Sequence, residues 1–210
     1  MHEFASDLGE PEFFRTETAA GFRFLNPDHR HFCLVRAARI VSALNAAICL
    51  AESGFAQEIC VILRTMLEYC TQIDIVLLSR VESSEPIAKI EKYLDVFFAD
   101  DRRIEGHRAI ALEQAFVHDA LGARLDEFAE DRLPKPSSKI MSQSYLSLSY
   151  YVHGRYPESM DLYGGRPGRF HLNGMRNTPK DKEPIELIET YLDSQRCTTI
   201  AAKARFEFGP

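Results

Sequence analysis

Two long apolar stretches with helical spacing meet at a single glycine, and this limits what the chain can fold into more than any other feature. Leu34, Ala38, Val41, Asn45 and Ile48 recur every three or four residues, as do Ile59, Leu63, Met66, Cys70, Ile73 and Leu77 on the far side of Ser53-Gly54. Asn26-Pro27-Asp28 precedes the first stretch and supplies a start signal, with Asp28 as the N-cap. The spacing predicts helices over 28–53 and 55–80. Joined at one glycine, they should fold back as an antiparallel hairpin.

The rest of the chain continues in the same style. Glu85-Pro86 opens a third helix carrying Ile87, Ile90, Tyr93, Leu94, Phe97 and Phe98, with a break at Gly106. A fourth follows through Ile110, Leu112, Phe116, Leu121 and Leu125. Leu133-Pro-Lys-Pro136 reads as a turn, after which Ser137 or Ser138 caps a fifth helix that ends at Gly154. A last helix is predicted from Pro184 to about Phe206. The expected fold is therefore all-α, a bundle of five to six helices in one domain over 28–210. Residues 1–27 precede it as a Phe-rich arm (Phe4, Phe13, Phe14, Phe22, Phe24) broken by Gly and Pro. That arm reads as irregular, with at most one short helix, and its rings must pack on the body or on another subunit.

Charge narrows the function classes. With 210 residues, 45% of them apolar, the chain can bury a substantial core. The net charge of −6 does not suit a protein that coats nucleic acid, so RNA is not favoured as a partner. Residues 154–182 differ, with six Lys/Arg against three acids and five glycines, a local charge of +3. They read as an irregular Gly/Arg-rich loop. Five cysteines without zinc spacing, the absence of Glu-x-x-His, and the scattered His29, His31, His107 and His118 give no metal site and no cofactor. The cysteines read as buried free thiols of a cytoplasmic protein. The first residues lack a secretory apolar core, and no uninterrupted apolar run approaches 18 residues, so no membrane span is expected.

Chemistry is confined to a few polar positions on oily helices. Arg64 and Glu68 stand four apart, and so do Ser149 and His153. Charges in such surroundings must be paired or used. Arg64-Glu68 reads either as an intrahelical ion pair bracing a neighbouring helix or as an anion-binding arginine oriented by its carboxylate. His153 reads either as a group at a helix C-terminus or as a general acid or base. Gly164-Gly-Arg-Pro-Gly-Arg-Phe-His171 places Arg166 and Arg169 among glycines, where freed amides can hold a phosphate, although the P-loop ending is absent. The ligand-binding candidates are thus Arg64, Glu68, Ser149, His153, Arg166 and Arg169, of which Arg64, Glu68, Ser149 and His153 are expected to approach one another in a shared polar pocket that binds a small anion or nucleotide-like ligand or simply fixes the packing of the bundle.

Gly54-Phe-Ala-Gln-Glu58 running into Arg64-Thr-Met-Leu-Glu68, together with Tyr145-Leu-Ser-Leu-Ser-Tyr-Tyr-Val-His153-Gly154, resembles a bacterial family of uncharacterised helical proteins. That family is distantly similar to the HEPN nucleotide-binding superfamily. The resemblance covers roughly residues 30–155. It implies a helical bundle, often a homodimer, whose relatives include RNA-cleaving toxins and defence proteins as well as members that only bind or scaffold. Catalytic members carry an Arg, then four to six residues, then His on one helix. Before His153 those positions hold Leu146, Ser147 and Leu148. Arg102 and His107 have the spacing, with Gly106 between them. The leading expectation is a bundle protein that acts by binding or self-association. The alternative is a metal-independent ribonuclease in which Arg64 holds the phosphate and His153 moves the proton.

Overall fold

The computed structural model describes residues 8–15, 20–78, 86–98, 135–164, 169–178, 182, 185–189 and 191–192. The predicted fourth helix, Arg102, His107, His118, Arg166, Cys197 and the end of the last helix lie outside the described residues. Among those described the chain is all-α apart from one two-stranded sheet. Strands β1 (Glu12–Arg15) and β2 (Ala20–Arg23) precede helices α1 (His29–Ser53), α2 (Ala56–Leu78), α3 (Pro86–Phe98), α4 (Lys135–Val152) and α5 (Tyr156–Met160). A further helix, α6, spans 185–189 and 191–192. Two compact units share these elements: one takes 1–38 and 72–121, the other 39–71 and 122–210.

Helix α1 starts where Asp28 predicts. Its Oδ1 accepts the amides of Arg30 at 3.0 Å and His31 at 3.3 Å, satisfying two of the donors that a helix start leaves free. The His31 ring lies 2.7 Å from the same oxygen and 3.2 Å from the Leu8 carbonyl, and Phe24 stacks edge-on against it. Burial pushes the Asp28 carboxyl up, but hydrogen bonds from His31 and Arg30, with the Arg30 charge, hold it well below the usual carboxylate range. A folded-state value below the unfolded one stabilises at pH above the unfolded value, and that stability drains as pH falls toward the folded one. Asp28→Ala should therefore cost about 1 kcal/mol at neutral pH. The deficit against wild type, followed by urea unfolding, should shrink once pH drops below about 4. A deficit that stays constant as pH falls well below that value would mean the carboxylate is not what caps the helix.

Gly54 ends α1. The Phe55 amide reaches back to the Leu50 carbonyl (2.9 Å) and the Gly54 amide to that of Ala51 (3.0 Å), which closes the last turn. The chain reverses there, and α2 begins at once. Cys33 near the start of α1 feels the charge of Asp74 near the end of α2, while Ala47 packs with Ile59 and Leu63 at the other end, so the two helices run antiparallel. The stripe that reveals α1 in the sequence turns outward: Ala38, Val41, Asn45 and Ile48 are exposed. A second stripe, Ile40, Ala43, Leu44, Ala47 and Ala51, faces the core.

Each unit has its own core. In the first, Phe32 meets Tyr93 and Phe97 at 5.5 and 4.7 Å between ring centres, and Arg36 lies over the Phe97 ring at 4.7 Å with its Nη2 donating to the Tyr93 hydroxyl. Cys33 of the same unit is buried, and its thiol is pushed up to about 12 by that burial, with Asp74 and Asp28 adding to the effect. In the second, Ala47, Ile59, Leu63, Met66 and Leu67 pack with Leu148 of α4 and with Ile188 and Tyr191 of α6. The Tyr191 hydroxyl lies 3.4 Å from Cys70 Sγ.

Several expectations need correction. Residues 12–15 and 20–23 form an antiparallel pair rather than irregular chain or helix, with Phe13 opposite Phe22 and Phe14 opposite Gly21. The Phe14 ring covers that glycine, 3.3 Å from where a Cβ would stand. Helix α4 starts at Lys135, so Ser137 and Ser138 lie inside its first turn and do not cap it, and Pro136 occupies the early position that proline favours. The 154–182 stretch is not wholly irregular: it holds α5 and an antiparallel bridge between Tyr163 and Phe170. Cys49 is exposed, not buried. Among the described residues one helix, α1, is long and apolar enough to cross a membrane by length and composition. Arg36 and Arg39 interrupt its apolar run in the sequence without making the whole stretch polar.

Candidate functional site

The best-defined polar cluster joins α2 to α4 in the second unit. Arg64, only 9% exposed, projects from the buried stripe of α2. Its Nε donates to Ser149 Oγ at 2.9 Å, and the Ser149 hydroxyl donates in turn to the Tyr145 carbonyl at 2.7 Å. The guanidinium carbon lies 3.4 Å from the centre of the Tyr145 ring, a cation–π contact in low-dielectric surroundings. Nη1 lies 2.8 Å from Glu68 Oε1, one turn along α2. The angle there is poor for a hydrogen bond, so that contact is chiefly coulombic. Glu68 keeps 32% of its side chain exposed, which leaves its carboxylate partly hydrated. Burial raises the Tyr145 phenol above its usual range, with Arg64 pulling it down and Glu68 pushing it up.

Local sequence explains the arrangement. Tyr145 and Ser149 stand four apart on α4, so ring and hydroxyl lie one above the other on one face. A serine inside a helix can bond the carbonyl four residues back, and Ser149 does so while keeping a lone pair for Arg64. Arg64 is thus gripped through Nε, Nη1 and one face of its plane. The cluster is a latch between two helices.

Arg64, Glu68 and Ser149 converge as expected, and Tyr145 joins them, but His153 does not. Helix α4 ends at Val152, and the amides of Gly154 and Arg155 return to the carbonyls of Tyr151 and Tyr150. His153 is therefore the C-cap residue. Its ring is exposed and makes no hydrogen bond or ion pair among the described residues. The i,i+4 spacing from Ser149 is real, yet α4 meets Arg64 one turn earlier, at 145–149. Arg169 is also exposed, and its carbonyl accepts the Gly164 amide at 2.8 Å, which closes the turn beside the Tyr163–Phe170 bridge. No cluster of three or more metal-ligating side chains exists among the described residues.

Two features escape the sequence reading. Arg36, like Arg64, is a cation on an oily helix, but Phe32 and Ile40 flank it at i±4, and its aromatic surroundings combine Phe32 of its own helix with Phe97 of α3. The second is a clamp at the corner between α1 and α2. Gly54 and Gly174 both have positive φ (+81° and +88°), and the Met175 amide donates to the Gly54 carbonyl at 2.6 Å. Met175 is buried under that corner. The Gln57 amide group donates to the Glu158 carbonyl and holds α5 alongside.

Comparison with protein-family models, curated proteins and solved structures gave no match.

Proposed function

We propose that this chain is a HEPN-like, cytoplasmic bundle protein that acts by binding and self-association, and that the β1–β2 ribbon carries the contact between two copies. One observation supports this above others. Phe13 and Phe22 stand directly opposite each other, their rings 5.4 Å apart edge to face, and are 62% and 71% exposed. Adjoining large apolar side chains left in water mark an interaction surface more often than single exposed ones do. A two-stranded ribbon also leaves two edges with unused backbone donors and acceptors, and it is marginal without a partner surface. Pairing with a second copy covers both. Each phenyl ring withdrawn from water contributes about 1.5–3 kcal/mol, and a twofold interface counts every ring twice.

Among the described residues the placement of Arg64 and His153 does not favour the ribonuclease alternative. It needs Arg64 and His153 on one phosphate, whereas Arg64 is held by three protein groups and His153 is an exposed C-cap.

Light scattering on the full chain should give twice the monomer mass. Phe13→Ser/Phe22→Ser should give the monomer with an unchanged helical circular dichroism spectrum. The reading is lost if wild type is monomeric at about 100 μM, a concentration at which a micromolar dimer would be nearly complete. It is equally lost if the double variant stays dimeric.

A further inference from the structure

The second unit contains a groove of about 530 Å³ where the end of α1 meets α6. We infer that this groove binds a small zwitterion with an apolar body, an apolar dipeptide being the class that fits. Its wall is aliphatic, formed by Ile48, Ile185 and Ile188. Four charged side chains stand around it, Arg176 and Lys182 of one sign and Glu52 and Glu189 of the other, all of them exposed. None of the four side chains makes an ion pair or hydrogen bond among the described residues. The volume lies within the roughly 300–1,000 Å³ of small-molecule pockets, which combine apolar walls with a few placed polar groups.

Charge balance selects the ligand class. Two cations and two carboxylates cancel at long range, so the groove neither attracts nor retains a simple anion or cation through its net field. A ligand that carries a carboxylate and an ammonium on one aliphatic frame meets a partner for each charge and lays its side chains on the isoleucines. A free dipeptide has that composition. The groove is also built before the ligand arrives. Arg176 directly follows Met175, whose amide is bonded to Gly54, and Glu52 lies in the last turn of α1, which the Gly54 and Phe55 amides close. Preformed sites lose less entropy on binding. This inference does not depend on the β1–β2 dimer, since the groove and the ribbon are built from different residues.

The probe is Leu-Leu, titrated into the full chain by calorimetry, with N-acetyl-Leu-Leu and Leu-Leu amide as singly charged controls. Leu-Leu should bind saturably with Kd on the order of 1 mM or tighter, and each capped form about tenfold more weakly. Arg176→Ala/Lys182→Ala and Glu52→Gln/Glu189→Gln change only exposed side chains, so both variants should fold, as circular dichroism will check, and each should weaken Leu-Leu by about tenfold or more. No saturation by about 20 mM overturns the proposal. Equal binding of the capped forms, or of the folded charge variants, overturns it too, because the groove would then read apolar surface alone.

Discussion

Gly174→Ala should be the most damaging small substitution in the described chain, lowering the unfolding free energy by about 3 kcal/mol, with Gly54→Ala close behind. Two separate effects add. A φ of +88° or +81° places any L side chain in the left-handed region, which costs about 1–2 kcal/mol. The second effect is space. A Cβ on Gly174 would stand within van der Waals overlap of the Ser53 carbonyl oxygen, and one on Gly54 would lie 2.7 Å from the Arg176 amide nitrogen. Both obstacles are backbone, so neither can swing aside as a side-chain tip would. Relief requires lifting residues 174–176 off the α1–α2 corner, which breaks the Met175–Gly54 hydrogen bond and uncovers Met175.

Gly154 separates the two effects. Its φ is +55°, but the nearest atom to an added Cβ is Ser159 Oγ at 3.9 Å, an ordinary contact. Gly154→Ala should therefore show the conformational effect alone, about 1 kcal/mol. For a chain of this length each kcal/mol moves the midpoint by about 2–4 °C, so thermal unfolding should place Gly154→Ala a few degrees below wild type and Gly174→Ala about 6–12 °C below. If all three variants fall together, the close approach contributes nothing and the clamp is only a turn.

The clamp also shows where sequence reasoning reaches its limit. Ser53-Gly54 is legible as a helix stop because the rule is local: a glycine follows the last periodic residue. That the same glycine must stay bare for residues 174–176, some 120 positions later, depends on a tertiary approach that no spacing records. Helices α1 and α2 were legible for the same local reason, since periodicity and the Asp28 cap act within a few residues, whereas the short α5 was not. Periodicity does not say which way a stripe points. Helix α1 has apolar residues on two sides, and the regular series from Leu34 to Ile48 faces largely outward while Ala43, Leu44 and Ala47 pack inside. The β1–β2 ribbon was missed because Gly and Pro punctuate a short segment in which Phe13-Phe14 and Phe22-Phe24 lack any long alternation. At the polar cluster, Arg64 and Glu68 were found through cost, as charges on oily helices that need partners. Ser149 was found by the same reasoning. His153 was misplaced because i,i+4 spacing gives a face but not the height at which a second helix crosses it.

Arg64 replaced by methionine should be tolerated better than Arg64 replaced by lysine, and this order decides what the residue is for. If Arg64 is a latch, its value lies in filling the space over Tyr145 and in satisfying its neighbours. Methionine keeps the volume and removes a charge whose burial is expensive, and exchanges of buried ion pairs for apolar groups are often neutral or stabilising. Glu68, one-third exposed, rehydrates when its partner goes, and Ser149 keeps its bond to the Tyr145 carbonyl. Lysine keeps the charge but loses the Nε donor and the flat face against the ring, leaving a strongly hydrated ammonium in a dry position. Arg64→Met should therefore lie within about 1.5 kcal/mol of wild type. Arg64→Lys should lose about 2–3 kcal/mol, and Arg64→Ala, which opens a cavity between α2 and α4, about 3–5 kcal/mol. Urea unfolding of the three variants measures the order. Lysine matching or outperforming methionine would show that the charge, not the volume filled over Tyr145, stabilises the site, and the latch would have to be abandoned.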